Sequence, residues 1–171
     1  MSNENSYIQL NLLSTEAGCD AFAHVSESQV IEKARDILAE RMVHADVLAN
    51  PSAVTAYLVA KFAGLEHEVF GCLFLDSRHR VLRYEEMFRG TIDGCSVHPR
   101  EVVKAALTAN AAAVIFSHNH PSGVADPSRA DKQLTKRLTD ALALVDVRVL
   151  DHFVVGGVDT ISFAERGHYE T

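Results

Sequence analysis

From Ser117 to Asp131 the chain reads Ser-His-Asn-His-Pro-Ser-Gly-Val-Ala-Asp-Pro-Ser-Arg-Ala-Asp. His118 and His120, one residue apart, and Asp131, eleven residues further on, have the makings of an incomplete metal shell. Three protein ligands leave one position of a tetrahedral zinc open to water, the usual preparation for metal-assisted hydrolysis. Each residue also has a plainer reading. A His-x-His pair at a strand end is often polar surface. Ser128-x-x-Asp131 ahead of an apolar stripe has the form of a helix capping box. The two readings of the last pair are compatible if Ser128 caps while Asp131, in the first turn, projects toward the strand end. There the helix dipole favours the anionic carboxylate. One carboxylate oxygen cannot easily serve both purposes.

The surrounding periodicity predicts the elements that would position these groups. Ala113-Val-Ile-Phe116 reads as a buried strand with the histidines at its carboxyl end, where residues two apart point to the same side. Pro121-Ser122-Gly123 turns the chain away. A long helix begins at Pro127-Ser128 with the stripe Leu134, Leu138, Ala141, Leu142 and Val145. Earlier in the chain, Ile31, Ala34, Ile37 and Leu38 predict a helix from Ser26, with Ser26 or Ser28 as its cap. Asn50-Pro51-Ser52 opens a second helix to Phe62, with Asn50 as its cap. The continuous apolar run Val69–Leu75 reads as a strand buried on both faces, with Val81 to Phe88 returning beside it. His98-Pro99-Arg100-Glu101 starts a helix to Asn110; Val147 to Val155 and Ile161 to Phe163 read as further strands. Tyr7, Ile8, Leu10 and Leu12 fit a short strand or an arm. Residues 1–25 are therefore expected to form an amino-terminal arm and residues 26–171 one α/β domain with a mixed sheet flanked by helices.

Bulk properties agree with a single globular unit. The chain has 171 residues, 47% hydrophobic and 23% charged, with 4 Pro and 9 Gly. No apolar run approaches the roughly 20 residues of a membrane span, and the polar start lacks the order of a signal peptide. A cytoplasmic protein without a membrane partner is the expectation. Cys19, Cys72 and Cys95 are scattered and odd in number, which speaks for buried free thiols rather than disulfides. A net charge of −7 disfavours a dedicated nucleic-acid partner.

Strand, His-x-His-Pro-Ser-Gly, loop, Pro-Ser-x-x-Asp and amphipathic helix together resemble the JAMM (JAB/MPN) metalloprotease motif. The pattern is similar above all to the RadC family of bacterial proteins. Phe88-Arg-Gly-Thr91, His98-Pro-Arg-Glu101, Asp151-His152 and Ser162-Phe-Ala-Glu165 extend that resemblance over Ser52 to Gly167. It implies a JAB/MPN-like, cytidine-deaminase-like fold. It also implies a Zn²⁺ cofactor on His118, His120 and Asp131, and a peptide or protein substrate cleaved at a peptide or isopeptide bond. An upstream glutamate acts as general base in the family, and Glu68-Val69-Phe70-Gly71 matches its Glu-Val-x-Gly context, with Glu66 as the fallback. Without the resemblance, Glu68 reads as a solvated residue at a strand start. The family serine corresponds to Ser128, a hydrogen-bond donor to the developing oxyanion. Longer RadC proteins carry a helix-hairpin-helix region; residues 1–50 hold no matching pair of short helices, so the chain resembles the short form.

Three other readings compete. A DNA-associated, RadC-like repair protein or metal-dependent nuclease is opposed by the charge. The contiguous letters His-Asn-His do not make the nuclease of that name, which spreads them over a longer unit. A nucleobase deaminase needs His-x-Glu with a downstream Pro-Cys-x-x-Cys, and that combination is missing here. A non-catalytic interaction module would not need the intact ligand set. Of the remaining histidines, His67 is expected at the surface, His98 at a helix start, and His152 in a structural hydrogen bond or behind a ligand.

Overall fold

The computed structural model describes residues 7–8, 25–42, 51–92 and 94–167. Tyr7–Ile8 (β1) and Val25–Ser26 (β2) pair antiparallel as a small ribbon. Leu10, Leu12, Cys19 and Asn50 lie outside the described residues. Glu27–Met42 (α1) starts where the sequence places it. Ser26 Oγ accepts the Gln29 N–H at 3.4 Å while Gln29 Oε1 accepts the Ser26 N–H at 2.9 Å, a reciprocal cap. Pro51–Phe62 (α2) follows, with Pro at its first position. Arg35 of α1 donates to the Ala60 and Ala63 carbonyls at 2.8 and 2.6 Å, tying it to the carboxyl end of α2.

The remaining elements are Val69–Leu75 (β3), Val81–Arg89 (β4), Pro99–Thr108 (α3), Ala113–Asn119 (β5), Arg129–Ala143 (α4), Arg148–Gly156 (β6) and Asp159–Ser162 (β7). They build a five-stranded sheet in the order β4-β3-β5-β6-β7, in which β5 and β6 are parallel and every other neighbouring pair is antiparallel. Helix α4 is the crossover a parallel pair requires. This is the mixed α/β arrangement expected of a JAB/MPN-like domain.

The unbroken apolar runs of β3 and β5 are explained by cover on both faces. Leu73, Leu75 and Ile115 pack with Val54, Leu58 and Phe62 of α2. Phe70, Cys72, Phe74, Val114 and Phe116 pack with Val102 and Ala106 of α3 and with Leu138 and Leu142 of α4. Strand β5 runs past its apolar stretch to Asn119, three residues beyond Phe116. Pairing with β3 on one side and β6 on the other carries the polar Ser117-His118-Asn119 into the sheet centre. No helix among the described residues is long and apolar enough to cross a membrane.

Candidate metal centre

Sheet and helix deliver the three groups to one point. His118 lies in the buried end of β5 and is 1% exposed; His120 follows it on the same side, just past the strand. Their Nε2 atoms are 3.0 Å apart. Ser128 and Asp131 form a complete capping box at the start of α4. Ser128 Oγ accepts the Asp131 N–H at 3.1 Å and Asp131 Oδ2 accepts the Ser128 N–H at 2.7 Å. The other oxygen, Oδ1, stands 3.3 Å from His118 Nε2. Cap and candidate ligand are thus one side chain: Oδ1 faces His118, while the capping Oδ2 also lies 3.6 Å from His120 Nε2. His118, His120 and Asp131 each offer a donor atom, all within 4.8 Å of one another, and so could hold a metal ion.

The second nitrogen of each ring is occupied. His120 Nδ1 donates to the Val124 carbonyl at 2.7 Å. His118 Nδ1 lies 2.8 Å from His152 Nε2, and His152 Nδ1 lies 2.6 Å from Thr135 Oγ1. His152 therefore touches a candidate ligand from behind, rather than serving only the core. Burial, only partly offset by Asp131, lowers His118 to about 4. Burial likewise holds His152 well below the ordinary imidazole range. The Asp131 hydrogen bond raises His120 against its own partial burial. Burial alone would raise the Asp131 carboxyl, but His120, His118 and the Ser128 donors together carry it far below the usual carboxylate range.

Glu68 sits just before β3 and lines a cleft of about 670 Å³ with His120, Ser122, Ser128, Asp131 and Arg137. Its charge contributes to the raised His120. Glu66 is exposed and does not line this cleft. The main chain on both sides of Glu68 is gripped by Asn119, the residue between the two histidines. Asn119 Oδ1 accepts the Val69 N–H at 2.8 Å, and Nδ2 donates to the His67 carbonyl at 3.0 Å. The glycine of Glu68-Val-x-Gly71 has a steric cause: a Cβ there would run into the Tyr84 hydroxyl.

Asn119 and Thr135 carry no signal in the sequence reading. Asn119 reads as a spacer, although strand alternation already sends its side chain away from its neighbours. Thr135 falls one helical turn after Asp131, the spacing at which two side chains share a face. His67 is partly buried rather than on the surface, with Nε2 buried and unpartnered among the described residues. His98 precedes α3 as expected, without a side-chain cap. Gly123, at φ 81°, makes the turn after His120. Cys72 is a buried free thiol, pushed up by burial; Cys95 is a half-buried one in the cleft wall.

Comparison with known proteins adds to this geometry. A family model described as the RadC-like JAB domain matches residues 48–168. The chain is 62% identical over 137 residues to a UPF0758 protein of Nitrosococcus oceani, an alignment covering 80% of this chain and 61% of that one. It is 57% identical over 141 residues to a UPF0758 protein of Vibrio cholerae, covering 82% and 89%. With a UPF0758 protein of Thioalkalivibrio sulfidiphilus it shares 54% over 154 residues, covering 90% and 69%. It spans 61–62% of the length of the Nitrosococcus oceani and Stutzerimonas stutzeri relatives.

Proposed function

The chain belongs to the family of RadC-like JAB domains, and from that premise we propose that it is a zinc-dependent hydrolase of the JAMM metallopeptidase type, cleaving a peptide or isopeptide bond. The observation that carries this reading is the convergence of two imidazole nitrogens and one carboxylate oxygen beside a cleft that also holds a glutamate and a serine. The donor set fits zinc. Around a tetrahedral ion with bonds of about 2.0–2.1 Å, ligand atoms stand about 3.3 Å apart. The His118–His120 and His118–Asp131 separations here are 3.0 and 3.3 Å. Held by these two histidines and one aspartate, zinc would keep a position for water.

Zinc in such a site lowers the pKa of coordinated water to about 7 and polarises a carbonyl. The chain supplies the rest. Glu68 takes the proton of the attacking water and passes it to the leaving nitrogen. Ser128 Oγ already accepts the Asp131 N–H, so its own O–H is the donor for the developing oxyanion. Asn119 holds the main chain on both sides of the base. The partner of this reading is a peptide or protein; the net charge of −7 speaks against a nucleic acid. Elemental analysis of the purified protein tests the metal, and a panel of peptide and isopeptide substrates tests the chemistry. Glu68→Gln is expected to keep zinc and lose turnover by at least about 100-fold. A protein without stoichiometric metal, or a Glu68→Gln variant as fast as the parent on a confirmed substrate, would overturn the reading.

A further inference from the structure

Two of the segments that carry the family resemblance, Asp151-His152 and Ser162-Phe163-Ala164-Glu165, have no part in the reaction just described. They meet directly behind His118. We propose that His152 and Thr135 are positioning residues: a one-way hydrogen-bond relay, anchored on the Asp131 main-chain carbonyl, that fixes His118 with its proton on Nδ1 and its Nε2 lone pair toward the metal. The proposal rests on the metal reading above.

The direction of the relay follows from donor and acceptor chemistry. Thr135 Oγ1 lies 2.7 Å from the Asp131 carbonyl, which can only accept, so the single hydroxyl proton is committed there. The same oxygen lies 2.6 Å from His152 Nδ1 and must accept a proton from it. A neutral His152 with its proton on Nδ1 presents a lone pair at Nε2, 2.8 Å from His118 Nδ1. That nitrogen of His118 must then carry the proton, and Nε2 is left as the lone-pair atom. Thr135, His152 and His118 are 3%, 0% and 1% exposed, so water has no room to invert any link.

The ring of His152 is enclosed by Phe70, Phe116 and Phe163, at centroid distances of 5.6, 5.7 and 4.8 Å, a setting for a neutral imidazole. Its main chain is locked by the downstream segments. Asp151 accepts the His152 and Ala164 N–H groups on Oδ1 at 2.6 and 3.0 Å and the Ser162 hydroxyl on Oδ2 at 2.6 Å. The Phe163 N–H closes back on the His152 carbonyl at 3.1 Å. His120 reaches the same tautomer through one carbonyl, that of Val124. The longer route to His118 begins on the residue that offers the third ligand. A displacement of the start of α4 therefore moves the Asp131 carboxylate and the anchor of the relay together.

Thr135→Val removes the hydroxyl at nearly constant volume, and Thr135→Ser keeps it. Zinc affinity, measured by competition with a chromogenic chelator, is expected to fall 10- to 100-fold in Thr135→Val and to return most of the way in Thr135→Ser. Urea unfolding of the metal-free proteins confirms that both variants are folded. Nitrogen-15 NMR of the metal-free parent is expected to show His118 and His152 protonated on Nδ1, with His152 losing that fixed tautomer in Thr135→Val. A parent that binds zinc alongside a folded Thr135→Val that binds it equally tightly overturns the relay alone. So does His152 protonated on Nε2 in the parent. A parent that binds no zinc overturns the metal reading instead.

Discussion

Asp131 closes the helix cap with one oxygen and faces His118 with the other, so the two tasks can be separated by mutation. Asp131→Asn keeps an acceptor for the Ser128 N–H and loses the charge. It is expected to weaken zinc binding by at least about tenfold and, because its partners favour the ionised carboxylate, to lower the stability of the metal-free protein as well. Asp131→Ala loses both and costs a further ~1 kcal/mol in urea unfolding. Acid acts at the same residues. With His118 lowered to about 4 and Asp131 lowered too, His120, raised above the ordinary imidazole range by its Asp131 hydrogen bond, is the candidate ligand that first takes up a proton as pH falls. Zinc affinity should fall about tenfold per pH unit below the His120 pKa, one proton displaced per ion, as a chelator titration across pH would read. The metal-free fold responds to the buried pair. His118 and His152 are lowered in the folded state, so their contribution is fully present above pH 6.5 and is lost as pH falls toward 4. His120 is raised and has the opposite sign: its contribution is present below 6.5 and lost as pH rises. The His120 contribution is already complete below 6.5, so between pH 6.5 and 4.5 the buried pair acts alone and Tm declines. The three candidate ligands were legible in the sequence because residue type and short spacing announce metal chemistry. The partners behind them were not, because threonine and asparagine occur throughout any chain and only three-dimensional placement distinguishes these two.

At the scale of elements, the site depends on how β5 is seated. Asn119→Ala would leave the Val69 N–H and the His67 carbonyl buried without partners, costing about 1–3 kcal/mol. Faster amide exchange at Val69 is the local readout. Gly156 offers a second handle, beside Val155, whose carbonyl accepts the His120 main-chain N–H. A Cβ there would run into the main chain of Val124 and Ala125, the loop whose carbonyl orients His120. Gly156→Ala is expected to weaken zinc binding and lower Tm although no ligand is touched. Most element starts were readable from local chemistry: the Ser26 and Ser128 caps, and Pro51 at the head of α2. The length of β5 was not, because hydrophobicity stops at Phe116 while the hydrogen-bond ladder continues to Asn119. Pairing with two neighbouring strands is a tertiary fact that no window of sequence contains.

For the whole molecule, the mixed sheet between two helical layers follows from doubly covered strands, and the unbroken apolar runs of β3 and β5 announce it. Residues 1–25 were the least informative, lacking both strong periodicity and turn chemistry. The acidic balance leads to one more expected outcome: fluorescence anisotropy with duplex DNA should show no steep, salt-dependent binding at low ionic strength. Chain order carries a consequence of its own. The hydrogen bond from Val69 to Asn119 joins positions 50 residues apart, whereas the ligand trio lies within a single strand–helix step. During synthesis the glutamate leaves the ribosome first and waits. The segment carrying His118, His120 and Asp131 emerges later, so Glu68 joins the three candidate donors only when β3 pairs with β5.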